Sequence, residues 1–341
     1  MTVQQHLENL LKNSAQYILT DDDKKTINVK VLDKFVYAKL TSKKFRKWKM
    51  SDALIQRIQQ TLKLTIEQNK PLEAIFFQGG YKLWRFPSSP EVDWAEFFNI
   101  SYLLQYLAPI AAAYKQDVRL TYYVHTMIME LHDNLTTEEI DNYLNSFKKL
   151  VDEFSKYLPK NMKVRVWTDR DIYSRDEYFK IIKTAYKKAE QDYLKLPQDK
   201  KDYYRKLAEL NIKWNGNERW DKLPENGKKE KIYQAAIYEN SIPYLDKAIK
   251  TVKADKYILL FTKGSDSFIA VGTTKTSIAK HWVGFGVLER SQEKLYERVL
   301  TPSQFETIKN KKHKNEKVNL VNLKNFKEIW IFDERFDLVH K

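Results

Sequence analysis

Residues 74–100, AIFFQGGYKLWRFPSSPEVDWAEFFNI, join a short apolar strand to a helix through a long polar connection. Ala74 to Phe77 read as a buried strand and Gly79 and Gly80 end it. Asp93, followed three residues later by Glu96, spells a capping box ahead of an apolar run. The connection, residues 78–92, takes about 15 residues where strand-to-helix loops in compact α/β domains usually take roughly 2–6. It carries Tyr81, Lys82, Trp84, Arg85, Ser88, Ser89 and Glu91, a mixture of cations, hydroxyls and flat aromatics suited to holding a polar ligand.

Working outward, the helix from Asp93 to about Tyr114 carries Phe97, Tyr102, Leu103, Leu104, Leu107 and Ile110, apolar coverage broad enough for burial against a sheet. VRLTYYV at 118–124 reads as a strand, Thr136 and Glu139 open a helix reaching Leu158, and MKVRVW at 162–167 is a third strand. Ser174 and Glu177 open another helix reaching about Leu194. Strand and helix therefore alternate across residues 72–194, the pattern of right-handed crossovers that builds a parallel, Rossmann-like sheet.

Upstream, residues 3–18 form an amphipathic helix through Leu7, Leu10, Leu11 and Ile18, and an acidic break follows at 21–23. Alternating segments at 27–32 and 35–40 read as short strands, and residues 51–66 as a helix with Leu54, Ile55, Ile58 and Leu62 on one face. Downstream, residues 195–232 are polar and basic and read as a helical excursion, and residues 232–252 resume an amphipathic helix. KYILLFT, SFIAVGT and HWVGFGVLE then read as closely spaced strands pairing antiparallel, followed by a short helix at 303–311 and a last strand, EIWIF at 328–332. KNKKHKNEK at 309–317 reads as a solvated turn. The expected class is α/β: a Rossmann-like, mainly parallel sheet flanked by helices with an antiparallel C-terminal extension. The expected regions are 1–70, a Rossmann-like core at 71–195, a helical excursion at 196–254, and C-terminal strands completing the core at 255–341.

The composition narrows the class further. With 341 residues, 43% of them hydrophobic, the chain is long enough for a substantial core. It holds 21 Tyr, 17 Phe and 8 Trp against 8 Gly and 9 Pro, which favours long helices over a many-stranded sandwich. Cysteine is absent, so disulfides, thiolate metal sites and cysteine nucleophiles are excluded together and a reducing compartment is expected. The N-terminal MTVQQHLENLLKNSAQ has no basic start leading to an apolar core. No apolar run approaches the roughly 18 residues that span a bilayer, so the expectation is a soluble cytoplasmic protein without a membrane partner. A formal net charge of +15 attracts anionic partners, either a small-molecule substrate or nucleic acid.

Lys82 and Arg85 leave a strand end and approach a helix N-terminus, where α/β sheets bind ligands and backbone N–H groups receive anions. They are the expected grip on a phosphate or carboxylate, with Trp84 beside them. Asp93 and Glu96 have two readings, a helix cap or a ligand-facing pair. Glu91 has no capping role and is a candidate base. A second segment, GTTKTSIAKHW at 272–282, offers Thr273, Lys275, Ser277 and His281, either to wrap a phosphate with several donors or to form a polar hairpin. His125, Glu130 and His132 lie close in sequence without a metal-ligand spacing, and neither GxSxG nor GxGxxG occurs, so no metal or other cofactor is assigned. SKKFRKWKM at 42–50 interleaves cations with Phe45 and Trp48, the composition of a patch that stacks bases and holds phosphates.

The order of features from Ala74 to Leu158 resembles the isonitrile (isocyanide) synthase family, which includes the fungal dityrosine-pathway enzymes. In that family an apolar strand leads to a lysine-containing polar loop and then to Pro-Asp-x-Ala-Glu opening a helix. Here the last motif stands as Asp93, Trp94, Ala95 and Glu96, with Val92 in place of the proline. The family's Lys-Ser-x-Asn stretch is replaced by residues 79–90, where Lys82 and Arg85 are the candidate equivalents. The resemblance implies a Rossmann-like enzyme that condenses an amino acid's amine with the ketone of a pentulose phosphate, without metal or nicotinamide. On this reading Lys82 and Arg85 grip the anion and Glu91 or Glu96 moves protons, with His281 as a partner from the C-terminal half. The alternative is a nucleic-acid-binding or processing-associated protein using the basic residues at 43–49 and 309–317.

Overall fold

The computed structural model describes residues 1–28, 32–79, 91–132, 135–213, 220–248, 256–262, 266–309 and 313–333. The strand expected at 72–77 is β1, Leu72–Gln78, and it pairs in parallel along its whole length with β2, Val118–Val124, from Leu72 opposite Val118 to Gln78 opposite Val124. β3, Met162–Thr168, continues the sheet in parallel on the far side of β2. On its other side β1 pairs in parallel with β4, Ile258–Phe261, which pairs in turn with the short β5, Ile269–Ala270. The order is therefore β3-β2-β1-β4-β5. The chain builds outward from β1 to β3 and then returns to the opposite side of β1. That reversal places a topological switch point between the carboxyl ends of β1 and β4, the crevice in which open α/β sheets receive ligands.

Helices cover the sheet because its strands alternate faces. Upstream of β1 lie α1 (Val3–Asn13), α2 (Asp21–Asn28), α3 (Leu32–Leu40) and α4 (Asp52–Glu67). α5, Trp94–Ala113, connects β1 to β2, and α6 (Thr126–His132) with α7 (Thr137–Ser155) connects β2 to β3. α8 (Arg175–Leu194), α9 (Gln198–Lys213) and α10 (Glu225–Ala248) form the excursion before β4. One sheet face, including Ala74, Phe76, Leu120 and Tyr122, joins Phe97, Leu103, Leu107 and Phe147 of α5 and α7 in the main core.

α5 is apolar on nearly every side because it also meets a second sheet. That sheet has β6 (Phe285–Ser291), β7 (Lys294–Leu300), β8 (His313–Lys317) and β9 (Glu328–Phe332) in the order β7-β6-β9-β8, with α11 (Pro302–Ile308) between β7 and β8. β6 pairs antiparallel with β7 and parallel with β9, and β8 pairs antiparallel with β9. Gly286 lets β6 press against the start of α5: a Cβ there would stand 2.3 Å from the backbone of Trp94 and Ala95.

Four expectations are corrected. Residues 27–28 end α2 and residues 35–40 lie in α3 instead of forming strands, residues 29–31 lying outside the described residues; the acidic break opens α2, where Asp21, Asp22 and Asp23 favour the positive end of the helix dipole. KYILLFT and SFIAVGT pair in parallel with the first sheet instead of antiparallel, β4 following a helical crossover that returns the chain to the same end of the sheet. Strand β7 was absent from the sequence reading, and residues 313–317 are a paired strand, not a solvated turn. Among the described residues no helix is long and apolar enough to cross a membrane.

Candidate active site

The Asp93–Glu96 capping box forms as the sequence predicts: Asp93 Oδ1 accepts from the Ala95 N–H at 2.9 Å, and Glu96 Oε2 accepts from the Asp93 N–H at 3.0 Å. Its setting differs from that of the other boxes. Those of α7 (Thr136 with Glu139) and α8 (Ser174 with Glu177) sit at the surface, whereas Asp93 is 4% exposed and Glu96 0%. A cap does not require burial, and burying a carboxylate is costly unless its oxygens are supplied with donors. Glu96 Oε1 receives the Tyr143 hydroxyl at 3.2 Å, and Tyr143 in turn receives the Gln78 side-chain N–H at the end of β1. Gln78 is fully buried and its Oε1 has no hydrogen-bond partner among the described residues.

Next to this chain, the Asn99 amide links two parts of the fold. It accepts from the Tyr122 hydroxyl at 3.0 Å and donates to the Thr273 carbonyl at 3.1 Å, tying α5 to β2 and to segment 272–282. Burial, reinforced by the Glu96 charge, raises the Tyr122 phenol well above its ordinary range and keeps it a donor. His281, fully buried, lies 6.4 Å from the Tyr122 ring and 5.6 Å from Phe76, between centroids. Trp282 closes over the end of β1, where a Cβ on Gly79 would come within 2.7 Å of its indole nitrogen. The two segments singled out in the sequence thus meet, with Glu96 and His281 both facing Tyr122.

The remaining candidates fall differently. Lys82, Trp84 and Arg85 lie outside the described residues. Glu91 is corrected as a base: its carboxylate accepts from the Lys324 N–H at 3.3 Å and tethers the turn before β9. Thr273 and Ser277 are corrected as phosphate ligands, since the Thr273 hydroxyl donates to Ala279 O at 2.5 Å and Ser277 Oγ receives the Val299 N–H at 3.0 Å. Lys275 has an exposed side chain outside this self-bonded segment. Phe45 is corrected as a stacking residue: it is buried against Tyr102 and Tyr106, leaving Trp48 as the exposed aromatic of that patch. Glu130 pairs with Arg175 at 2.6 Å.

Three residues on the other face of the edge were not named as site residues from the sequence, where His125 was weighed only as a metal ligand. His125 follows β2 directly, and its ring stacks on Phe77 at 5.8 Å and meets Tyr123 edge-on at 4.9 Å. Desolvation lowers its pKa to about 4. Asp169 follows β3 directly, is fully buried, and receives the Thr126 hydroxyl and N–H and the Met127 N–H. Burial raises its pKa to about 6 despite those donors. Tyr178 of α8 places its hydroxyl 3.5 Å from His125 Nδ1 and also interacts with Asp169. Position was the available signal, because each of His125 and Asp169 is the first residue past a parallel strand. A shallow cavity of about 650 Å³ lies elsewhere, along α8 between Asp176, Phe179, Lys180, Lys183, Thr184 and Lys187.

The fold and the buried polar chains at its carboxyl edge define an α/β protein of Rossmann-like topology with a second, mixed sheet. No protein-family model matches the sequence, and no curated protein matches it. Among solved structures it is similar to the PvcA protein from Pseudomonas aeruginosa, with a TM-score of 0.62 and 14% identity over 89% of this chain and 100% of that one. The likeness is one of fold.

Proposed function

We propose that the chain is an isonitrile-synthase-like enzyme working at the carboxyl edge of the parallel sheet, where it joins an amino acid's amine to the ketone of a phosphorylated sugar. The observation that carries the reading is the burial of the Asp93–Glu96 box at the switch point, when the comparable boxes of the same chain stay at the surface. The motif order around Ala74 to Leu158 and the fold similarity to PvcA support the same class.

In the condensation the amine nitrogen bonds to the carbonyl carbon and the former carbonyl oxygen departs as water, leaving an imine. Both amine protons must pass from nitrogen to the departing oxygen, one as the carbinolamine forms and one as water leaves. Glu96, held by Tyr143 and fully buried, suits that transfer, and His281 stands across Tyr122 from it. Lys82 and Arg85 are proposed to hold the phosphate in the long connection after β1, where a helix N-terminus adds to the attraction.

The test incubates the chain with amino acids and a pentulose phosphate and detects the isonitrile by mass and infrared absorption. Glu96→Gln, with its circular dichroism unchanged, is expected to lose at least about 100-fold in turnover, the scale of a removed acid–base group. Full turnover in that variant, or no isonitrile from any amino acid, would overturn the reading.

A further inference from the structure

On the face of the sheet edge opposite Glu96, Asp169, Tyr178 and His125 form a second chain of ionisable groups, distinct from those given the proton transfer above. Each is positioned by a different element: Asp169 by the turn after β3, Tyr178 by α8, and His125 by the end of β2. Asp169 is supplied with donors from Thr126 and Met127, so its ionised form is well bonded inside the protein. With Asp169 ionised, the Tyr178 proton is directed toward the carboxylate, and the phenol oxygen is left to accept from His125 Nδ1. The 3.5 Å separation of that last pair is at the outer limit of a hydrogen bond, and acid–base contacts without ligand are characteristically loose.

We infer that His125 is a proton acceptor at the sheet edge, fixed by Tyr178 and Asp169 in the tautomer that carries its proton on Nδ1 and presents the Nε2 lone pair to a bound ligand. Its Nδ1 meets the Tyr178 hydroxyl, and the residue is half-buried at the end of β2 instead of sealed in the core. The imidazole is packed against the Phe77 and Tyr123 rings and the Tyr178 hydroxyl, and that packing desolvates it. Among the described residues, Tyr123, Tyr178 and, next to Tyr178, Tyr238 and Asp169 are the titratable groups shown around it. Taking a ligand proton on Nε2 makes an imidazolium, whose charge the Asp169 carboxylate offsets through Tyr178. Tyr178 and Asp169 are positioning residues. Which ligand meets the imidazole rests on the function proposed above; the state of the imidazole does not.

The experiment reads the tautomer by nitrogen-15 NMR of the histidine-labelled full chain, with the His125 signal assigned by its loss in His125→Gln. It also reads labelling by diethyl pyrocarbonate, which attacks neutral, accessible imidazole. At pH 5.5 an ordinary histidine is only about one-tenth neutral. His125 is therefore expected to label about tenfold faster than an equally accessible ordinary histidine, and to show the Nδ1–H tautomer. Tyr178→Phe and, as a second variant that leaves the aromatic packing alone, Asp169→Asn are expected to remove the tautomer preference. An Nε2–H tautomer, no labelling at His125, or an unaltered tautomer in both folded variants would overturn the inference. Unchanged turnover in His125→Gln would do the same, whereas a failure to make any isonitrile would strike only the function proposed above.

Discussion

Three buried carboxylates show how surroundings decide a residue's part. Glu96 has donors and sits at the switch point, Asp169 is pushed up to about 6 by burial, and Asp23 is driven the other way. Burial also raises Asp23, but Lys39 at 2.8 Å, Tyr17 at 2.7 Å and Thr20 more than reverse it, and the carboxyl ends well below its ordinary range. A folded-state pKa below the unfolded one gives stability that is present above the unfolded value, about 3.9, and is lost as pH falls through the folded value. Lys39→Met is therefore expected to cost about 1–3 kcal/mol at pH 7 in urea unfolding, and distinctly less at pH 2. An equal cost at both would show that the pair's charge is not what holds α2 to α3. Asp169 has the opposite sign: its raised pKa favours the folded state at low pH, and that contribution is lost as pH rises through about 6.

At the scale of elements, what was legible and what was not divides on physical grounds. β1, β2, β3, α5, α7 and α8 were readable because buried parallel strands are short apolar runs and each of those three helices opens with a capping box. α3 was misread because Phe35, Val36 and Tyr37 are aromatic and β-branched residues that favour strands, whereas Phe35, Val36 and Leu40 bury as one side of a helix. β7 was missed because its hairpin lacks the usual Asn-Gly signature. Gln292 and Glu293 occupy the turn with φ of 48° and 64°, a conformation that side-chain-bearing residues adopt at a cost. Replacing them together, Gln292→Asn with Glu293→Gly, is expected to stabilise the protein by about 1 kcal/mol, read as a rise in Tm. A fall in Tm would mean that the two side chains hold the hairpin in some other way. The candidate site was legible at Glu96 and His281, which the sequence marks by motif and by loop. It was illegible at His125, Asp169 and Tyr178, which come from three separate elements and are joined only by folding.

For the whole molecule, the decisive feature is the strand order. An alternation of strands and helices predicts a parallel sheet but does not say where the order reverses; the return of β4 to the far side of β1 does, and it sets the carboxyl end of β1 at the reversal. The charge of +15 draws anions toward the whole surface and selects no single place. Two places compete, the sheet's carboxyl edge and the lysine-lined cavity on α8. Hydrogen–deuterium exchange of the full chain with and without a pentulose phosphate separates them. The account predicts slower exchange at the ends of β1 and β2, at the first turn of α5 and through residues 272–282. Protection confined to α8, around Lys180, Lys183 and Lys187, would contradict it.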